Sequence, residues 1–128
     1  MFSLSERSKR NRDGVDKRLI DISDRAIQIT KIDFGHPSTG GVRTDEQQNE
    51  LYKAGKSKAD GYNNRSKHQD GLALDFYAYV NGRATWKPEY LAEIACAFYH
   101  AANELGIKIK WGGLFKGFSD MPHIQLED

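Results

Sequence analysis

The chain has 128 residues, a net charge of +1, 38% apolar residues and 29% charged ones, which suits one domain with a modest core rather than a disordered segment. A charge so nearly balanced excludes an overall nucleic-acid footprint, and no apolar run approaches the ~20 residues that a membrane span needs. One cysteine, Cys96, excludes an internal disulfide and a multi-cysteine metal site.

Arg7, Lys9, Arg10 and Arg12 cluster near the start and read as a solvated basic arm. The same stretch is polar and lacks the apolar centre of a secretory signal, so synthesis and retention in a cytoplasm are expected, without stable membrane association. Val15, Leu19, Ile22, Ala26 and Ile29 step by three and four, which predicts a helix over Val15 to Ile29. Lys31 to Phe34 reads as the start of a short strand. His36 to Gly41, with Pro37, Ser38, Gly40 and Gly41, reads as a turn in which His36 has a surface role. Thr44 followed by Gln47 is a capping-box pattern, so a second helix starts at Asp45 and Arg43 stands at its entrance. Lys53 to Lys67 is rich in Gly, Lys, Asn and Ser and predicts a long exposed loop, with a lid over a cleft as its possible task.

Leu72 to Val80 predicts a strand, and Asn81-Gly82 a hairpin turn. Pro88 suits the first turn of a helix over Glu89 to Leu105, with Leu91, Ile94, Ala95, Phe98, Ala102 and Leu105 as its apolar stripe and Gly106 as its C-cap. His100 falls on the far side of that stripe, facing solvent without a partner. Ile107 to Trp111 and Pro122 to Leu126 predict two more strands. Between them, Gly112 to Ser119 is a Gly- and aromatic-rich loop that would wall a cleft or simply pack. Helices mixed with hairpin-like strands, without repeated βαβ units, predict an α+β fold: one small antiparallel sheet packed with two or three helices.

An acid in the middle of the most strand-like segment requires a reason. Alternation puts Leu72, Leu74, Phe76, Ala78 and Val80 on one face and Ala73, Asp75, Tyr77 and Tyr79 on the other. In the last strand Ile124 and Leu126 share one face, His123 and Gln125 the other. Neighbouring strands would set Asp75 beside His123 on the open sheet face, with His68 closing the set from the preceding loop. Two imidazoles and a carboxylate suit zinc with a fourth position open, and nitrogen donors argue against calcium or magnesium. The same spacing is also what a solvated aspartate and a terminal histidine would give.

The segment SKHQDGLALDF resembles the S-x-H-x-x-G-x-A-x-D pattern of the zinc peptidases that include D-Ala-D-Ala carboxypeptidases, dipeptidases and phage L-alanyl-D-glutamate endopeptidases. Ser66, His68, Gly71, Ala73 and Asp75 fill its fixed positions. Asp120 and His123 in DMPH, and Arg43 in Gly41-Val42-Arg43-Thr44, match the other two elements in the same order. The resemblance implies zinc held by His68, Asp75 and His123. It implies Asp120 as the general base toward the attacking water and Arg43 as the cation facing the scissile carbonyl, with Ser66 as a contact to the substrate backbone. Many members carry Glu where Asp120 stands, so the shorter acid must sit about one methylene nearer the water. A small, single-domain, signal-free member of this family looks like a phage endolysin. The implied function is therefore cleavage of the peptidoglycan peptide stem between L-Ala and D-Glu, for host lysis, after holin-dependent release from the host cytoplasm, by a monomer whose single peptidase domain spans 1–128. Rival readings are a D-Ala-D-Ala dipeptidase or carboxypeptidase, and a non-catalytic, metal-bearing wall-binding module. Asp120 and Arg43 argue against the last, because a structural metal site needs neither.

Overall fold

The structure, a computed structural model, describes residues 1–127. Along the chain the elements are α1 (Glu6–Arg10), α2 (Lys17–Ile29), β1 (Phe34–Gly35), α3 (Asp45–Lys53), a 3-10 turn (Lys67–Asp70), β2 (Ala73–Asp75), β3 (Tyr77–Val80), β4 (Arg83–Thr85), α4 (Pro88–Leu105), β5 (Ile109–Trp111), a second 3-10 turn (Gly112–Leu114) and β6 (His123–Leu126). The α+β class is as predicted, but the strands form two three-stranded antiparallel sheets, β1-β3-β4 and β2-β6-β5, in place of one.

The division falls inside the predicted strand Leu72 to Val80. β2 ends at Asp75 and β3 begins at Tyr77 in the other sheet. The backbone explains the break. Asp75 N–H donates to Gly40 O (2.7 Å), and Phe76 N–H to Pro122 O (2.8 Å). The Asp75 carbonyl accepts from the His36 ring (2.6 Å). With these groups engaged elsewhere, no ladder can run straight through Phe76, whose side chain enters the core.

Local signals set the helices. Asp16 caps α2 by accepting from Arg18 N–H (2.9 Å), so the helix starts at Lys17 and Val15 packs as a buried residue ahead of it. Thr44 and Gln47 make the reciprocal capping box on α3. Pro88 opens α4, and Gly106 closes it in the left-handed region at φ 70°. The apolar stripes of α2 and α4 face each other over the sheets, where Leu19, Ile22, Ala26, Leu91, Ile94, Phe98 and Ala102 are buried with Leu74, Phe76, Ala78 and Ile124. The α4 stripe stops short of the prediction, because Leu105 in the last turn is exposed. Asn81 (φ 53°) and Gly82 (φ 75°) form the two-residue turn between β3 and β4, both at positive φ as a type I′ hairpin demands.

The basic arm differs most from its prediction. Residues 6–10 form α1, and Arg12 is buried, with Nη1 donating to Asp24 Oδ1 (2.8 Å) and Ile20 O (3.3 Å). A charge run does not reveal which of its members finds a partner. Arg7, Lys9 and Arg10 remain exposed as predicted.

Phe98 has no exposed surface and stacks on both Phe34 (ring centroids 5.0 Å) and Phe76 (5.1 Å). Phe98→Ala is expected to lower stability by about 3–5 kcal/mol, as removal of a buried aromatic does. Urea unfolding, with an unchanged m-value and a lower midpoint, is the check.

Candidate metal centre

The β2-β6 pairing sets Asp75 directly opposite His123. Both side chains therefore leave the sheet on the same face. His68 arrives from the 3-10 turn ahead of β2. Ser66 Oγ caps this turn by accepting from His68 N–H (3.2 Å), and the Gln69 side chain returns to Ser66 N–H (2.8 Å). Gly71 ends the turn at φ 71°, a conformation that side chains rarely adopt, and its Cα lies so close to the chain at Gly14 that an added Cβ would meet Gly14 O at 3.0 Å.

Two side-chain hydrogen bonds orient the imidazoles. His68 Nδ1 lies 3.0 Å from Gly41 O, and a carbonyl can only accept, so Nδ1 carries the proton and Nε2 presents its lone pair. His123 Nε2 lies 2.9 Å from Gln125 Oε1, which leaves Nδ1 directed at the site. His68 Nε2 and His123 Nδ1 are 3.1 Å apart, and they lie 3.1 and 3.3 Å from Asp75 Oδ1. Asp75 Oδ1 is buried and makes no hydrogen bond. A buried carboxylate oxygen left without a donor, facing two imidazole nitrogens, calls for a cation. Four-coordinate metal ions with bonds of about 2.0–2.1 Å hold their ligand atoms about 3.3 Å apart, so the triad fits such an ion. The outward hydrogen bonds to Gly41 O and Gln125 are the second layer of support that metal-ligating histidines need. Burial opposes ionisation of Asp75; with no metal ion between them, a proton on the His68 and His123 rings holds its carboxyl well below the ordinary range.

Asp120 and Arg43 flank the triad. Asp120 Oδ2 is 3.7 Å from His123 Nδ1. Its backbone is anchored at Gly112, where Asp120 N–H donates to Gly112 O (2.9 Å) and an added Cβ would fall 2.0 Å from Asp120 O, so only glycine permits the approach. Burial and the nearby Asp75 charge push the Asp120 carboxyl above its usual range. Arg43 is held on three sides, with Nε to Thr39 O (2.8 Å), Nη1 to Gln48 Oε1 (3.1 Å) and Nη2 to Asp75 Oδ2 (3.1 Å). The Gly112 to Ser119 loop does stand at the site: Phe115 packs on the His123 ring (5.6 Å) and on Phe118 (5.6 Å). The loop after α3 is mostly exposed but tied down. Gln48, Asn49 and Gln69 side chains donate to Ala59 O, Asp60 O and Gly61 O, each at 2.8 Å.

His36 corrects the surface role predicted for it. Its ring is buried beneath the site, with Nδ1–H donating to Asp75 O (2.6 Å) and Nε2 accepting from Ser23 Oγ (2.7 Å). A turn-rich setting masked it, because the partners come from α2 and β2. His100 is exposed as predicted, but its Nε2 lies 3.2 Å from Glu104 Oε1, one helical turn on. Gln125 is a supporting residue that the sequence reading passed over, although the alternation that puts it on the face of His123 is the signal for it.

A triad able to hold a metal ion, flanked by a carboxylate and a guanidinium, is the equipment of single-metal hydrolases. The sequence profile described as phage L-alanyl-D-glutamate peptidase matches residues 1–126, and the chain belongs to that family. It is 30% identical over 120 residues to the L-alanyl-D-glutamate peptidase of Escherichia phage T5, covering 93% of this chain and 85% of that protein. It is 32% identical over 99 residues to the peptidoglycan L-alanyl-D-glutamate endopeptidase CwlK of Bacillus subtilis (strain 168), covering 69% of this chain and 58% of CwlK. The crystal structure of the Serratia marcescens L-Ala D-Glu endopeptidase ChiX superposes with a TM-score of 0.86 at 34% identity, covering 98% of this chain and 90% of ChiX.

Burial pushes the His36 ring down to about 4, against the upward pull of its hydrogen bond to Asp75 O. The unfolded chain takes up this proton near 6.5, so the stability His36 contributes is complete above that pH and is lost as the pH falls from about 6.5 through about 4. An NMR titration of the ring should show it neutral at pH 5.5, and a midpoint near 6.5 would contradict the burial argument.

Proposed function

We propose that the chain hydrolyses the L-Ala–D-Glu bond in the peptide stem of peptidoglycan, using one zinc ion held by His68, Asp75 and His123. The observation that carries this reading is the meeting of those three donors around a buried Asp75 oxygen without a hydrogen-bond donor, in a chain of this peptidase family. Two nitrogen donors and one oxygen favour zinc over calcium and magnesium, which take oxygen. When bound, zinc acts as a Lewis acid that makes water nucleophilic at neutral pH and polarises a carbonyl.

The protein's own groups do the rest. Asp120 Oδ2 accepts the proton of the attacking water and returns it to the amine of D-Glu as the C–N bond breaks. Its raised proton affinity suits a group that must both take and give. Arg43, oriented by Asp75 Oδ2, Gln48 and Thr39 O, stabilises the oxyanion that forms on the L-Ala carbonyl. The Ser66 oxygen accepts from His68 N–H, and its own O–H is offered to the substrate backbone. Phe115 and Phe118 form one wall of the cleft. Residues 1–128 act as one peptidase domain and as a monomer, without nucleic acid as a partner. Among the described residues no helix is long and apolar enough to cross a membrane. In a phage context the chain reaches the wall from the host cytoplasm after holin-dependent release.

Chelation should abolish lysis of purified walls, and added zinc should restore it; lysis that survives thorough chelation removes the zinc mechanism. His68→Ala and His123→Ala are expected to lose the metal, measured as zinc per chain. Asp120→Ala should keep the metal and lose turnover by about 100-fold or more, in the range of a general base. Mass analysis of digested peptidoglycan decides the bond: new amines on D-Glu support this reading, and released D-Ala or D-Ala-D-Ala selects the carboxypeptidase or dipeptidase alternative.

A further inference from the structure

We propose that Gln48 is a positioning residue for this reaction, a buried amide that fixes the Arg43 guanidinium and joins it to the Ser57–Ala59 segment on the rim of the site. The inference rests on the role given to Arg43 above.

α3 is a polar helix, and Gln48 is its one buried residue, with no exposed surface. Burying an amide is costly unless its hydrogen bonds are made, and an apolar side chain would fill the same space without that demand. Gln48 uses its amide on both sides. Oε1 accepts from Arg43 Nη1 at 3.1 Å, while Nε2 donates both hydrogens, to Ser57 Oγ and Ala59 O, each at 2.8 Å. The guanidinium is planar, and Gln48 is the third of its fixed points, after Thr39 O on Nε and Asp75 Oδ2 on Nη2. With only the other two, the plane can tilt about the line that joins them.

The second arm of the amide leads around the site. Lys58 lies between the two loop groups that Gln48 holds, and its Nζ sits 4.7 Å from the centroid of the Phe118 ring. Phe118 packs on Phe115, and Phe115 on His123. From His123 the path returns through Asp75 to Arg43. Contacts thus close a circuit that passes through His123 and Asp75, and Gln48 is the joint in it between the Arg43 guanidinium and the Ser57–Ala59 segment. Loss of the first arm lowers kcat, and loss of the second raises KM.

Two substitutions separate the arms. Gln48→Met has the same reach and no polar atoms. In the zinc-loaded protein it should keep the metal and the helix content and reduce kcat by about 10–100-fold, the cost of a misplaced catalytic group. The Arg43 Nε–Hε NMR signal, assigned by its absence from Arg43→Lys, should shift or broaden. Gln48→Glu still accepts from Arg43 but cannot donate to Ala59 O. It should return the Arg43 signal and most of kcat while KM stays raised about tenfold. A lower melting temperature with the Arg43 signal, kcat and KM all at wild-type values would reduce Gln48 to a packing residue and overturn the proposal. Should Gln48→Met fail to fold, Gln48→Glu decides alone: an unshifted Arg43 signal with raised KM supports the proposal, and a lost signal or an unchanged KM defeats it. Wild-type kcat in Arg43→Lys would remove the role of Arg43 in turnover, whereas the signal in the Gln48 variants still reports whether the amide holds it.

Discussion

The structure depends on the mutual repulsion of three electron-rich atoms. His68 Nε2, His123 Nδ1 and Asp75 Oδ1 stand within 3.3 Å of one another, and the oxygen has no hydrogen-bond donor. Left alone, such a set would move apart or draw in a proton. It is held together from outside. Gly41 O fixes one ring, Gln125 the other, and Arg43 takes the second oxygen of the carboxylate. The fold can be understood as the means of bringing these three supports to one place.

The cross-strand pairing of Asp75 with His123 is the central device, and it explains why the sheet is split. A strand continuing past Asp75 would have spent that residue's backbone groups on a ladder. Here they serve the Gly40 turn and the His36 ring. β2 is consequently only three residues long, short even by the standards of small domains. Its stability comes from Ala73 and Leu74, fully buried on its two faces, rather than from the number of its hydrogen bonds.

Much of this was legible in the sequence, for physical reasons. Helical periods of three and four in α2 and α4, the capping box at Thr44 and the Asn81-Gly82 turn are local signals, and each appears where its local physics requires. Period-two alternation was enough to put Asp75 and His123 on matching faces, and the His68 pattern supplied the third donor. What escaped notice depends on partners distant in sequence. The burial of Arg12 is set by Asp24 and Ile20 O, and that of His36 by Ser23 and Asp75. Gln48 sits in the stretch DEQQNE, which reads as solvated, and only the return of the chain at Ser57 and Ala59 makes it interior. The break at Phe76 was hidden because its side chain obeys the alternation even though its backbone changes sheets.

α1 carries a consequence for anyone who modifies this protein. Five residues are too few for a helix to persist unaided, so it is borrowed stability that keeps residues 6–10 in place. The lenders lie at the site. Ser8 Oγ accepts from His36 N–H, Asn11 Nδ2 donates to His36 O, and Asn11 O is pressed against Gly41, the residue that orients His68. The front of the chain is therefore masonry under the His68, Asp75 and His123 triad. A purification handle or fusion partner joined there without a spacer pulls on the same stones, and an inactive fusion would be no evidence of an inactive enzyme.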